Sequence, residues 1–567
     1  MNPRSVLIVA ALIVSAACGS PDRRVAAAEA TADLIIVNGK VHTVDDANRV
    51  VQAVAIGGNT IIKVGTNDDI RSLSGPATRV IDARGATVAP GFNDSHVHFL
   101  SGGRSLSDVD LAGLTTLRQV QDKIRVFAAD KPADAWIKGR GWLYSPFPNA
   151  SPTRAQLDEV VPDRPAVMTC YDGHSVWVNS RVLALAGITK ATKDPVNGVI
   201  VRDANGEPTG HLKESATDLI SHLLPKPTEE DRRAALEAAV AHANRIGITS
   251  IQNAGGAVEE IGLYDAVKKG GGLTVRSYLA TSARSGISES DADRMDALWK
   301  QYGDDPTLHT GIVKLYADGV IESKTAAMLS PYVGTPSAGT PNYSVDELNR
   351  IVAMFDKRGW QIQIHAIGDR AIRMSLDALE KAAAANPAPA RGRRHRIEHV
   401  ETIDPADIPR FAKLGVIASM QPIHAELGDM NSLHPSGPWP DNLGAERASR
   451  AWQWKSIRDA GGRITFGSDW GVATLDPLQG IWLAATRLAP AGMRDQHLSM
   501  AEAVNGYTSW AAYASFEDQR KGTLAAGMLA DLVVLSRDLL ASPPARPPDV
   551  VVDTTIFDGK MVYRRAR

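Results

Sequence analysis

Cysteine is almost absent from this 567-residue chain, which carries only Cys18 and Cys170. If Cys18 is taken up by processing, no internal disulfide can form and no cysteine-based zinc site can be built. An excess of charge is missing too. Lysine and arginine number 62 and aspartate and glutamate 64, for a net charge of −2. No basic stripe interrupts that balance, so nothing in the composition points to a nucleic-acid partner. Hydrophobic residues make up 44% and charged residues 22%, ordinary for a soluble globular protein with ample material for a large core.

The first residues read as a leader. "MNPRSVLIVAALIVSAACGSPDRR" has one early positive charge at Arg4, an apolar run over 6–14 and small residues up to Cys18. That is the pattern of a secretory signal peptide, too short to span a membrane comfortably. "SAAC" resembles a bacterial lipobox, with Ser15 where Leu is commonest. The expectation is an exported lipoprotein lipidated at Cys18, periplasmic or anchored to the outer membrane of a bacterium. Plain secretion, with cleavage near "AAAEA", is the alternative. The expected layout is signal peptide 1–18, linker 19–31, a composite β-domain from 32–86 with 521–567, and a barrel over 87–520 with an inserted subdomain at about 110–225.

The composite domain is inferred from strand grammar at both chain ends. "ADLIIVNGKVHTVDDANRVVQAVAIGGNTIIKVG" and "VVDTTIFDGKMVYRRA" are short apolar runs broken by turn signals such as Asn38-Gly39 and Asp558-Gly559. Between them helix and strand alternate. Thr228 with the acidic residues after it opens a helix through Arg245, and Ser344-Val345-Asp346-Glu347 reads as a capping box. The strands "ITSIQNAGG", "WQIQIHAIGD", "HRIEHVE", "VIASMQP" and "RITFGSDW" follow in turn. Repeated βα units imply an α/β protein with a parallel sheet, here a (β/α)8 TIM-like barrel with a small β-sandwich domain and an inserted α/β subdomain. Residues 425–450 are a long Gly- and Pro-rich connection, a length typical of binding loops.

The stretch "GFNDSHVHFL" places His96 and His98 one residue apart. Alone the pair is weak, because residues i and i+2 share a face of any strand. In a barrel, however, chemistry gathers at the C-terminal ends of the strands. His365 ends "QIQIHAIGD", His399 ends "RIEHVE", and Asp469 ends "RITFGSDW". Lys314, in "TGIVKLYADG", would bury an ammonium at a cost of several kcal/mol if unpaired. It is either salt-bridged, for instance to Asp318, or N-carboxylated into an anionic ligand, and the surrounding histidines favour carboxylation.

With these pieces in order, the chain resembles the amidohydrolase superfamily, in the YtcJ-like branch of amidohydrolase family 3. The matching motifs are "PGFNDSHVH", "DRPAVMTCYDGHSVWVNS", "KLYADGVIESKTAAM", "IHAIGDRAI", "RIEHVE", "FGSDW" and "GTLAAGMLADLVVL", spread over about residues 33–563. The resemblance implies two zinc ions. His96 and His98 would hold the more buried one, and carboxylated Lys314 would bridge to a second held by His365 and His399. Asp469 would touch the first metal and act as general base. Asp94 is expected to be a supporting carboxylate rather than a ligand. Asn93, Asn253 and Gly471 depart from the usual pattern without removing a ligand.

His174, Asp318 and Arg370 are candidates for substrate contact, each with a structural alternative as a satisfied core residue or a salt-bridge partner. His211, His395 and His424 are read as ordinary, and Trp142, Trp177 and Trp470 as core or pocket wall. The expected activity is metal-dependent cleavage of a non-peptide C–N bond in a small-molecule amide, formamide or cyclic amide. A mononuclear deacetylase or deaminase and a non-catalytic binding lipoprotein are the rivals. Membrane contact is expected only through the lipid anchor, and a homodimer is left open.

Overall fold

The computed structural model describes residues 31–566 apart from 134, 172, 197, 429, 431–434, 490–491 and 541–548. The leader, Cys18 and the linker to residue 30 lie outside the described residues. Eight parallel strands make the central sheet: β1 (Phe92–Val97), β2 (Ile248–Asn253), β3 (Arg276–Ser282), β4 (Leu308–Tyr316), β5 (Gln361–Ala366), β6 (Arg396–His399), β7 (Ile417–Met420) and β8 (Arg463–Phe466). Each pairs with the next in sequence order from β1 to β8. The barrel closes at the mouth through single bonds. The Asp469 amide donates to the His96 carbonyl at 2.7 Å and the His98 amide to that of Trp470 at 2.8 Å.

Helices cover the outside because their apolar stripes match the outward faces of the strands. Ile364 and Ile397, both fully buried, share one core with Leu348, Ile351, Ile372 and Leu376 from the helices Val345–Lys357 and Asp369–Ala385. The helix Glu229–Arg245 starts at Thr228 as expected, with a reciprocal capping box to Asp231. At Ser344 only half of the expected box forms. Its hydroxyl accepts from the Glu347 amide at 3.2 Å, but the Glu347 carboxylate turns away to the Gly286 amide at 2.8 Å and to Arg350. A guanidinium and a neighbouring loop outcompete the cap's own backbone N–H.

Both chain ends do pair. Leu532–Leu535 runs antiparallel to Thr87–Pro90, with Val533 opposite Ala89, inside a six-stranded sheet. A second sheet of four strands holds Ala32–Val37 at its centre, and Leu34, Ile36, Val88, Leu532 and Val534 share one apolar cluster. Residues 109–214 carry a further six-stranded sheet with its own apolar clusters. Trp142 and Trp177 lie in that core. Arg140 from this sheet donates to the Gly471 carbonyl at 2.7 Å, which fixes the insertion beside the barrel mouth.

Candidate active site

The strand register sets the depth of each side chain. Tyr316 is level with His365, and Lys314 with Gln363, so Lys314 sits one layer below His365. His96 and Lys314 are fully buried beneath the floor of a cavity of about 910 Å³, which His98, His174, His365, His399, His424 and Asp469 help to line. Lys314 Nζ lies 3.5 Å from His96 Nε2. Asp469 Oδ1 lies 3.4 Å from His96 Nε2 and 3.3 Å from His98 Nε2. The His399 ring is 4.7 Å from that of His96 and 4.5 Å from that of His365. All six residues expected from the strand ends are therefore brought together.

The backbone is bent to achieve this. His399 and Val400 both have positive φ, +72° and +50°, and Asp469 has +56°. A β-branched residue in that region is a true outlier, and strain of this kind persists where the surroundings over-determine it. β8 ends at Phe466, so Asp469 lies three residues beyond the strand rather than in it. Gly467 makes the turn: a Cβ there would sit 2.4 Å from the His96 amide nitrogen. Gly471 follows at φ +92°, a conformation closed to proline.

Burial governs the electrostatics. It lowers the His365 imidazole to about 3, helped by Lys314, and pushes His399 well below its ordinary value and His98 downward. These rings are thus neutral at neutral pH, with lone pairs available to a metal. Burial also draws the Lys314 amine down to about 8, opposed by Glu398 and Asp469. Burial acts against ionisation of Asp469, yet His96 and His98 hold its carboxyl well below the usual range. His96, His399 and Asp469 each offer a ligand atom within 4.8 Å of the others. Among the described residues, His399 Nδ1 and Asp469 Oδ1 are buried and make no hydrogen bond, the two imidazoles beside Oδ1 standing at ion-pair distance. Neutral imidazoles, a carboxylate and unpaired buried donors fit a divalent zinc-type ion.

The remaining expectations sort themselves by partner. Asp94 closes the barrel, accepting from the amides of His96 and Ser468, each at 3.0 Å, while burial raises its carboxyl to about 6. Asp318 lines the cavity but accepts from the amides of Ala327, Ile367 and Gly368. It organises the loops after β4 and β5, and no ion pair joins it to Lys314 among the described residues. His174 does face the cavity, with Nδ1 3.0 Å from Glu214 of the insertion. Arg370 is exposed on the helix after β5 and is not part of the cavity wall. Its departure from the substrate set follows from the helix turning it to solvent. Asn253 holds the Phe99 amide at 2.9 Å and donates to the Gly255 carbonyl at 2.9 Å, the second bond being one an aspartate could not make. Trp470 is buried against Phe99, outside the cavity wall.

Three acids and rings escaped the sequence reading. Glu398 lies within hydrogen-bond reach of His96 Nδ1 and accepts from Arg396 Nε at 2.9 Å, both groups fully buried. Its alternation with Arg396 on one face of "RIEHVE" was the available signal. His424, read as ordinary, lines the cavity with Nε2 3.5 Å from Asp469 Oδ2, and Glu401 stands behind it. His211 and His395 are structural as expected: Ser151 meets the first, and the second bridges the Ile362 amide and Asp356.

Residues 79–563 match the family model described as "Amidohydrolase family". The chain belongs to the amidohydrolase family. Within it, the chain is 31% identical over 548 residues to the putative amidohydrolase YtcJ of Bacillus subtilis (strain 168), covering 93% of this chain and 99% of that protein. It is 29% identical over 545 residues to an N-substituted formamide deformylase of Arthrobacter pascens, covering 94% and 98%. Among solved structures, an uncharacterized metal-dependent hydrolase from Pyrococcus horikoshii superposes with a TM-score of 0.69 at 23% identity, over 90% of this chain and 98% of that one. That likeness speaks to the fold.

Proposed function

We propose that this family member is an exported, metal-dependent amidohydrolase that cleaves a non-peptide C–N bond of a small-molecule amide, with N-substituted formamides first among the substrate classes to test. The observation that carries the reading is the convergence of His96, His98, His365, His399 and Asp469 at the barrel mouth, beneath a cavity large enough for a small molecule. The formamide class is suggested by the named activity of the Arthrobacter pascens relative.

In this reading His96, His98 and Asp469 would hold one zinc ion, and His365 and His399 a second. Lys314, as a carbamate, would supply an anionic oxygen ligand shared between them. Its buried amine, lacking a carboxylate partner among the described residues, adds to CO2 and releases one proton. The metals supply polarisation of the scissile carbonyl and a water that ionises near neutral pH. Asp469 takes the proton from the attacking water and passes it to the leaving nitrogen. Lipidation at Cys18 would tether the enzyme to a bacterial membrane. A single-metal centre is the second reading, favoured by the mutual closeness of His96, His399 and Asp469 alone.

The test is metal content by elemental mass spectrometry on the chain from about Ala26, purified without chelator, alongside a panel of N-formyl and N-acyl compounds. Near two metals per chain, falling in Lys314→Ala, supports the bridged centre. One metal, unchanged in that variant, supports the mononuclear form. No metal after reconstitution with zinc and bicarbonate, and no turnover, overturns the hydrolase reading.

A further inference from the structure

We propose that Trp439, Glu401 and His424 form a positioning chain that fixes which oxygen of Asp469 faces which part of the site. The inference rests on the reading of Asp469 as the proton-carrying carboxylate. Trp439 belongs to the long connection after β7, in the short helix Pro438–Leu443. It is buried, stacked on Trp452 with ring centroids 4.7 Å apart, and its indole N–H donates to Glu401 Oε2 at 2.8 Å. Glu401 Oε1 lies 3.4 Å from His424 Nδ1. His424 Nε2 lies 3.5 Å from Asp469 Oδ2. The other oxygen, Oδ1, faces His96 and His98.

A carboxylate can rotate about its last bond and exchange its two oxygens, and Asp469 stands on a strained backbone. His424 makes the two edges different. The construction repeats one already present below the floor, where Arg396 holds Glu398 and Glu398 holds His96. In both cases a donor fixes a carboxylate, the carboxylate fixes one ring nitrogen, and the other ring nitrogen is presented to the site. Carboxylates placed this way orient imidazoles at metal centres. The bland alternative is a core histidine that merely packs. His395 shows what that looks like here, with both ring nitrogens engaged. His424 Nε2 is buried and faces the cavity, and among the described residues it makes no hydrogen bond, the Asp469 carboxylate standing at ion-pair distance, 3.5 Å away.

The chain also assigns work to the 425–450 connection. Trp439 carries none of the chemistry, yet it links that segment to Asp469 through contacts of 2.8, 3.4 and 3.5 Å. Indole can only donate and a carboxylate only accept, so the first link has one direction and is lost in Trp439→Phe, which keeps the ring.

The experiment loads the full chain with cobalt(II) and compares wild type with Trp439→Phe, Glu401→Gln and His424→Asn. Three quantities are read: cobalt per chain, the visible absorption of the bound ion, and turnover of 4-nitroformanilide and 4-nitroacetanilide. Expected are unchanged cobalt per chain, an altered visible spectrum, and kcat lower by about 10-fold. KM should stay within about twofold, because the loss concerns the transition state. Added imidazole should restore part of the turnover of His424→Gly. Spectra identical to wild type in all three variants overturn the proposal, as does a spectral change that only tracks lost cobalt. If the spectra shift with cobalt retained but wild type hydrolyses no amide, the positioning chain stands and the amidase reading falls.

Discussion

Glu398 shows how much one unanticipated side chain can carry. It is fully buried between His96 and Arg396, and Arg396 also donates to Gln252 and the Ser95 carbonyl across the barrel axis. Against its burial, Arg396 and His96 hold its carboxyl well below the usual range. Glu398→Gln keeps the size and removes the charge, leaving a buried guanidinium without its anion. The expected loss is about 3–5 kcal/mol of stability, read from urea unfolding of the metal-free protein, with weaker zinc binding alongside. A second consequence concerns pH. Burial first, then Lys314, lower His365 from 6.5 to about 3 in the folded chain. Below 6.5 the unfolded chain takes up a proton that the folded one refuses. The metal-free protein should therefore keep full stability above pH 6.5 and lose it towards pH 3, each such ring adding up to about 1.4 kcal/mol per pH unit. A flat profile of unfolding midpoints between pH 6.5 and 4 would contradict the buried neutral imidazoles. The residues that converge at the barrel mouth were legible because strand ends announce themselves locally. The roles of Glu398 and His424 were not, since the site residues they meet, His96 and Asp469, are 302 and 45 residues away in the chain, and the local alternation of Glu398 with Arg396 does not name His96.

At the scale of elements, alternation and capping located the strands and helices of the barrel well, while tertiary contacts decided where each one stops. β8 ends three residues before Asp469 because Gly467 must pass against the His96 backbone. The half-formed cap at Ser344 and the left-handed turn at His399 are likewise decided by neighbours distant in sequence. Gly467→Ala tests the first of these. Its Cβ would meet backbone at 2.4 Å, which cannot be relieved by swinging a flexible side chain aside. The barrel seam between β1 and β8 should open, with loss of bound zinc and a lower unfolding midpoint, whereas a variant with normal zinc content would show that the seam does not position Asp469.

For the whole molecule, the question is how residues from the two ends of a long chain support a site in the middle. Pairing of the two terminal segments was foreseen from their shared turn grammar, but the bond that fastens them to the barrel was not, because it joins an arginine in a strand to aspartates in late loops. Arg276 of β3 is buried and bidentate to Asp531 at 2.6 and 3.0 Å, and also reaches Asp558 at 3.0 Å. Asp531 further accepts from the Asp558 amide, so one carboxylate joins the barrel to the last hairpin. Removing it in Asp531→Ala leaves the buried guanidinium only the more exposed Asp558 as its anion and should cost up to about 3 kcal/mol. Replacing both partners, as Arg276→Met with Asp531→Leu, removes the buried charges together and should recover most of that loss. Urea unfolding of wild type, Asp531→Ala and the double variant measures both terms. If Asp531→Ala alone is nearly neutral, the terminal domain is held by its apolar cluster and the ion pair is incidental. If the single change is severe and the double change mild, the buried pair is what makes the far end of the chain a condition for a stable barrel.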